Sequence, residues 1–152
     1  MPNREHLLWE AARAHCIFYD LPTVLDYESI DPLLRDAVKR INESNWVWTA
    51  ESCQGHPDDE LPHTWAGNTR PFLRLVCHRE NYGEMLALLL DAMHQDPQPG
   101  LYPLDFENAV ELYAQQRQDW RELLVYVRAS TVWERNQGVQ VFDRFAEAVN
   151  NA

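Results

Sequence analysis

Cys53 and His56 stand three positions apart in the stretch SCQGHPDDELPH, followed by Asp58, Asp59, Glu60 and His63, with Ser52 just before them and Arg70 further along. At that spacing a thiolate and an imidazole from one turn reach the same ion, as they do in zinc sites. Cys53, His56 and His63 are therefore the candidate metal ligands and zinc the candidate ion. Asp58 or Asp59 could add an oxygen, with one coordination position left open. Cys77 and His78 could also complete a tetrahedral set. If the strands carrying Cys53 and Cys77 form a hairpin, however, the two thiols lie roughly 23 Å apart at about 3.3 Å per residue, too far for one ion.

The same residues support a second chemistry, with Cys53 as a nucleophilic thiolate and His56 or His63 as its base. Cys53 and His56 are then the candidate catalytic residues. Ser52, Cys53, Gly55, His56 and Arg70 form a ligand site in which the forked guanidinium of Arg70 holds an anionic group. Against both stands a plain structural role. Cys53 would be a small hydrophobe at the end of a buried strand, Gly55 a residue at positive φ, and His56-Pro57-Asp58 the close of a hairpin.

The elements that must position this loop follow from periodicity. Leu7, Ala11, Ala14 and Phe18 recur at helical spacing, which predicts a helix over residues 4–18 ending before Asp20-Leu21-Pro22. Asp31 followed by Pro32 predicts an N-cap with proline in the first turn, and Leu34, Ala37, Val38 and Ile41 mark the buried face of a second helix. From Asn45 the period changes to two, and a strand rich in aromatic and β-branched residues runs to Cys53. Its Trp46 and Trp48 are expected core aromatics.

After the 54–69 loop, Phe72 to Cys77 form a second strand. Asn81 with Glu84 predicts a capping box for a helix that buries Met85, Leu86, Leu89 and Met93 and stops before Pro97. Residues 96–103 are a connector. Phe106, Val110, Leu112 and Ala114 alternate as a third strand, and Leu123, Val125 and Val127 alternate as a fourth. Thr131 with Glu134 then caps a last helix whose buried face is Phe142, Phe145, Ala146 and Val149. The whole chain, 1–152, reads as a single α+β domain. Two helices precede two strand-strand-helix units, and helices cover a mainly antiparallel sheet of about four strands.

Composition narrows the function classes. The 152 residues carry 13 Lys plus Arg against 24 Asp plus Glu, a formal charge of −11. That balance repels phosphate backbones, so duplex nucleic acid is not an expected partner. It suits instead a basic protein partner. A 45% hydrophobic fraction with six Trp excludes a disordered chain. The longest apolar run, Met85 to Leu90, is too short to span a bilayer. Three scattered cysteines and a charged N-terminus predict a soluble protein of the reducing cytoplasm. His6, His15 and His94 sit in helical patterns and carry no expected role. Trp9, Trp120 and Trp133 suit either a core or an interface.

Residues 30–56, IDPLLRDAVKRINESNWVWTAESCQGH, carry a resemblance. A helix with an Asp start and an Ile-Asn end leads into a strand that closes in Ser-Cys-x-Gly-basic. This is similar to a segment of wybutosine-synthesis protein 3-like methyltransferases and covers about a fifth of the chain. The resemblance implies that Ser52, Cys53 and Gly55 lie near a substrate or S-adenosylmethionine pocket, with His56 standing where that family has Arg. The Ser-Cys-x-Gly-His pattern also resembles one in small bacterial and phage proteins of unassigned activity. The leading expectation is a small-ligand or metal site in the 53–70 loop. A methyltransferase-like or Cys-dependent enzyme using Cys53 and His56, and an acidic interaction protein, are the alternatives.

Overall fold

A computed structural model describes residues 28, 30–60, 70–95, 104–106, 120–127 and 129–152. The helix expected over 4–18 lies outside them, as do His63, most of the expected third strand and the 96–103 connector. The described elements run α1 (Pro32–Glu43), β1 (Val47–Cys53), β2 (Phe72–His78), a 3₁₀ turn (Arg79–Asn81), α2 (Tyr82–His94), β3 (Leu104–Phe106), β4 (Trp120–Val127), α3 (Val132–Gly138) and α4 (Gln140–Asn151).

The fold is α+β with an antiparallel sheet. β1, β2 and β4 lie side by side, with Cys53 opposite Phe72 and Phe72 opposite Tyr126. The three residues of β3 pair along the other side of β4, Leu104 opposite Val127. A register shift between Thr49 and Glu51 marks an irregularity in β1. Such a bulge re-aims the residues that follow it.

Helices α1, α2 and α4 supply their apolar stripes to one face of the sheet. Leu34, Ala37, Val38 and Ile41 of α1 are all at most 1% exposed, as the helical spacing requires, and Phe142, Phe145 and Ala146 of α4 are at 0%. They meet Val47, Leu73, Leu75, Leu123 and Val125 from the strands. Trp46 is buried here, and its indole N–H donates to Val149 O at 2.9 Å, tying the start of β1 to α4. The opposite face is withdrawn from solvent as well: Trp48, Val76 and Glu122, in register across the three strands, are each at most 2% exposed.

Three local expectations are corrected. Asn81 makes no capping hydrogen bond to α2; instead His78 Nδ1 accepts the Glu80 N–H at 3.3 Å, and a 3₁₀ turn precedes the helix. The final helix is two helices. Thr131 Oγ1 accepts the Glu134 N–H at 3.2 Å to start α3, which stops at Gly138 before α4 begins. Gly138 packs against Val127 at the end of β4, and a Cβ there would run into Cγ1 of Val127. Asp31 does hold the N-cap position with Pro32 behind it, yet its carboxylate makes no cap bond. That side chain is turned toward the loop after β1, where it accepts the Gln54 N–H.

Candidate metal centre

β1 ends at Cys53, and the chain then folds back over the start of α1. The Gln54 N–H donates to Asp31 Oδ2 at 2.9 Å, while Gln54 Oε1 accepts the Leu33 N–H at 3.2 Å. Gln54 thus caps α1 from across the fold, and Asp31 is released from that duty to face the loop. Gly55 follows at φ 77, the left-handed region expected of it. In that conformation its N–H points back at Cys53 Sγ, 3.4 Å away. His56 then comes to 3.9 Å from Asp31 Oδ2 through Nε2.

The result is a group of three donors, one each from Asp31, Cys53 and His56, all within 4.8 Å of one another. Cys53 is only 9% exposed. Tetrahedral zinc takes oxygen, nitrogen and sulfur at about 2.0 to 2.3 Å, which places the donors about 3.5 Å apart, so closure around an ion needs shifts of about an ångström. With the thiol deprotonated and the imidazole neutral, as metal binding requires, the set would carry two negative charges, which would match a divalent ion. Three such ligands would leave a fourth position for water or a small ligand.

No family model, no curated protein and no solved structure matches this chain.

Behind the three donors the loop is fastened to α3. The Glu60 N–H closes a turn on Pro57 O at 2.9 Å. Asp59 Oδ1 accepts the Val132 N–H at 2.9 Å, at the first turn of α3. Arg135, 5% exposed, reaches from α3 with Nη1 to Gly55 O at 2.8 Å and Glu60 Oε1 at 2.7 Å. Glu60 Oε2 in turn lies 3.0 Å from His56 Nδ1. The Arg135 guanidinium, and secondarily His56, hold the Glu60 carboxyl below the usual glutamate range despite partial burial.

Among the residues singled out from sequence, the structure brings Cys53, Gly55 and His56 into this site. Ser52 sits beside it in β1, opposite Leu73. The Arg70 guanidinium stacks 3.9 Å from the ring centroid of Tyr126, which pairs with Phe72 on the strand beyond β2 from Cys53. Asp58 is exposed. Cys77 belongs to the core. It pairs with Val47 while Cys53 pairs with Phe72, five residues and about 17 Å along β2, and burial pushes its thiol up to about 12. Asp31, Glu60 and Arg135 are the members that spacing alone did not nominate as ligands or supports. Asp31 carried only a cap signal, and nothing local distinguishes Arg135 from any helical arginine.

Proposed function

We propose that this protein binds a divalent transition-metal ion, zinc being the best match to the donors, through Asp31, Cys53 and His56. The observation that carries the reading is the convergence of the three donors within 4.8 Å from two separate segments, the start of α1 and the end of β1 with the loop that follows it. A mixed oxygen, nitrogen and sulfur set favours zinc or a neighbouring d-block ion over magnesium or calcium, which take oxygen ligands. The remaining coordination position suits a bound water or a small exogenous ligand, and metal-assisted hydrolysis is the reaction class such a centre serves.

The test is elemental analysis of untagged protein purified without chelator, together with a Co²⁺ titration. Near-stoichiometric metal and a thiolate-to-cobalt charge-transfer band, both lost in Cys53→Ser and in His56→Ala, are expected. A metal-free wild type that shows no cobalt band would end the reading.

One observation favours a second reading. The Gly55 N–H on Cys53 Sγ would stabilise a thiolate, and a ring nitrogen of His56 within 4.8 Å of that sulfur would need only a small shift to take its proton, the pairing of a Cys-dependent enzyme. Fast alkylation of Cys53 by iodoacetamide in metal-free protein, slowed by His56→Ala, is the expected result of that chemistry.

A further inference from the structure

We infer that Glu60, aimed by Arg135, is a positioning residue that fixes the tautomer of His56 and so dedicates its Nε2 lone pair to the site. The inference deepens the metal reading, since it says which nitrogen binds and what directs it, yet its first test needs no metal.

With the ring neutral, the polar groups leave one tautomer for His56. Nη1 of Arg135 has two hydrogens, and both are used, one on Gly55 O at 2.8 Å and one on Glu60 Oε1 at 2.7 Å. The second carboxylate oxygen, Oε2, is thereby turned to His56 Nδ1 at 3.0 Å. An ionised carboxylate only accepts, so Nδ1 carries the hydrogen and Nε2 keeps its lone pair. Nε2 is the nitrogen on the Asp31 side, 3.9 Å from Oδ2. A carboxylate on the far ring nitrogen is the arrangement that orients histidine ligands and raises their basicity.

Arg135 is buried at the cost of its hydration, and a buried ion pair is weak evidence for stability, because well-packed apolar residues often do as well. What an apolar pair cannot supply is direction, and direction is what this pair supplies to His56. The contacts also join segments 75 and 80 residues apart in the chain, so no local turn could provide them.

The experiment is ring-nitrogen NMR on metal-free protein labelled with ¹⁵N-histidine, recorded under conditions where the ring is neutral, with His56→Gln to assign the signal. In the wild type, His56 is expected in the Nδ1–H form. In Glu60→Gln, Arg135 still demands an acceptor, so the amide oxygen turns to Arg135 and the amide NH₂ to Nδ1, which inverts His56 to the Nε2–H form. Zinc or cobalt affinity then falls by about 10 to 100-fold.

A wild-type His56 in the Nε2–H form overturns the inference, and that reading requires no variant, so a Glu60→Gln that fails to fold does not spare it. An unchanged tautomer in folded Glu60→Gln also overturns it. If wild-type protein takes up no metal while the tautomer and its inversion are observed, the metal reading falls and the positioning role stands. If metal binds equally to both proteins and the tautomer is the same in both, the reverse holds.

Discussion

Gly138→Ala probes how closely α3 must lie on the sheet to hold the site together. The glycine is helical, not at positive φ, so alanine meets no backbone strain there. Space is the obstacle. The added methyl would run into Cγ1 of Val127, a residue at 0% exposure in the core, and would lie 3.6 Å from its Cβ. Overpacking of this kind costs about 1 to 3 kcal/mol, while the helix preference of alanine over glycine returns at most about 1 kcal/mol, and less at a helix end. The net expectation is a loss of about 1 to 2 kcal/mol. For a chain of this length that lowers Tm by about 2 to 8 °C.

Urea unfolding followed by Trp fluorescence measures the loss, and Val127→Ala provides the control. With Cγ1 removed, Gly138→Ala should cost clearly less than in the wild-type background, because the clash and its relief share one atom. Arg135 lies one turn before Gly138 on α3, so lifting that helix also draws the guanidinium from Glu60. The His56 ring signals should shift with the stability loss. A Gly138→Ala protein as stable as wild type, or an identical cost in the Val127→Ala background, would refute the argument that this glycine exists for close approach.

Four further outcomes are expected. Zinc at a hundredfold over its Kd should stabilise wild-type protein by about 2.7 kcal/mol, a Tm rise of about 5 to 11 °C, and should leave Asp31→Ala unmoved; equal melting with zinc and with chelator would remove the metal centre. Cys77, raised to about 12 by burial, should resist iodoacetamide near neutral pH until the chain unfolds, as peptide mass spectrometry can show; labelling in the native protein at the unfolded rate contradicts its placement in the core. Trp46→Phe leaves Val149 O without its 2.9 Å donor in the core and should cost about 1 to 3 kcal/mol in urea unfolding; no loss would mean that the carbonyl finds another donor. Burial raises the Asp143 carboxyl above the usual aspartate range even though Arg40 stands 3.6 Å away. The folded state therefore keeps that proton longer than the unfolded chain, and this contribution to stability falls as pH rises through the folded value. Asp143→Asn should consequently be neutral or stabilising at pH 7, with the difference vanishing in acid; marked destabilisation at pH 7 would mean that the ion pair outweighs burial.

Local rules carried a good part of this structure. A residue's neighbours three, four or two positions away set its helical or strand face, so the buried stripes of α1 and α4 and the end of β1 at Cys53 were legible from spacing alone. Gly55 at positive φ and Pro32 in the first turn of α1 are properties of single residues, and they too were legible. The Thr131 cap survived because both its groups lie within one turn.

Tertiary structure decided everything that depends on how elements are placed against one another. Asp31 reads as a cap in the sequence, but the return of the chain after β1 presents Gln54 to it and makes its carboxylate a site residue. Arg70 was near the loop in sequence, and only the sheet brings its guanidinium over Tyr126. Glu60 and Arg135 become partners only because α3 packs on the end of β4 at Val127, at a distance that Gly138 permits. An amphipathic pattern says which face is buried and is silent on what it is buried against. Polar chemistry depends on that partner to within an ångström, and such precision arises only when the packed elements fix their neighbours.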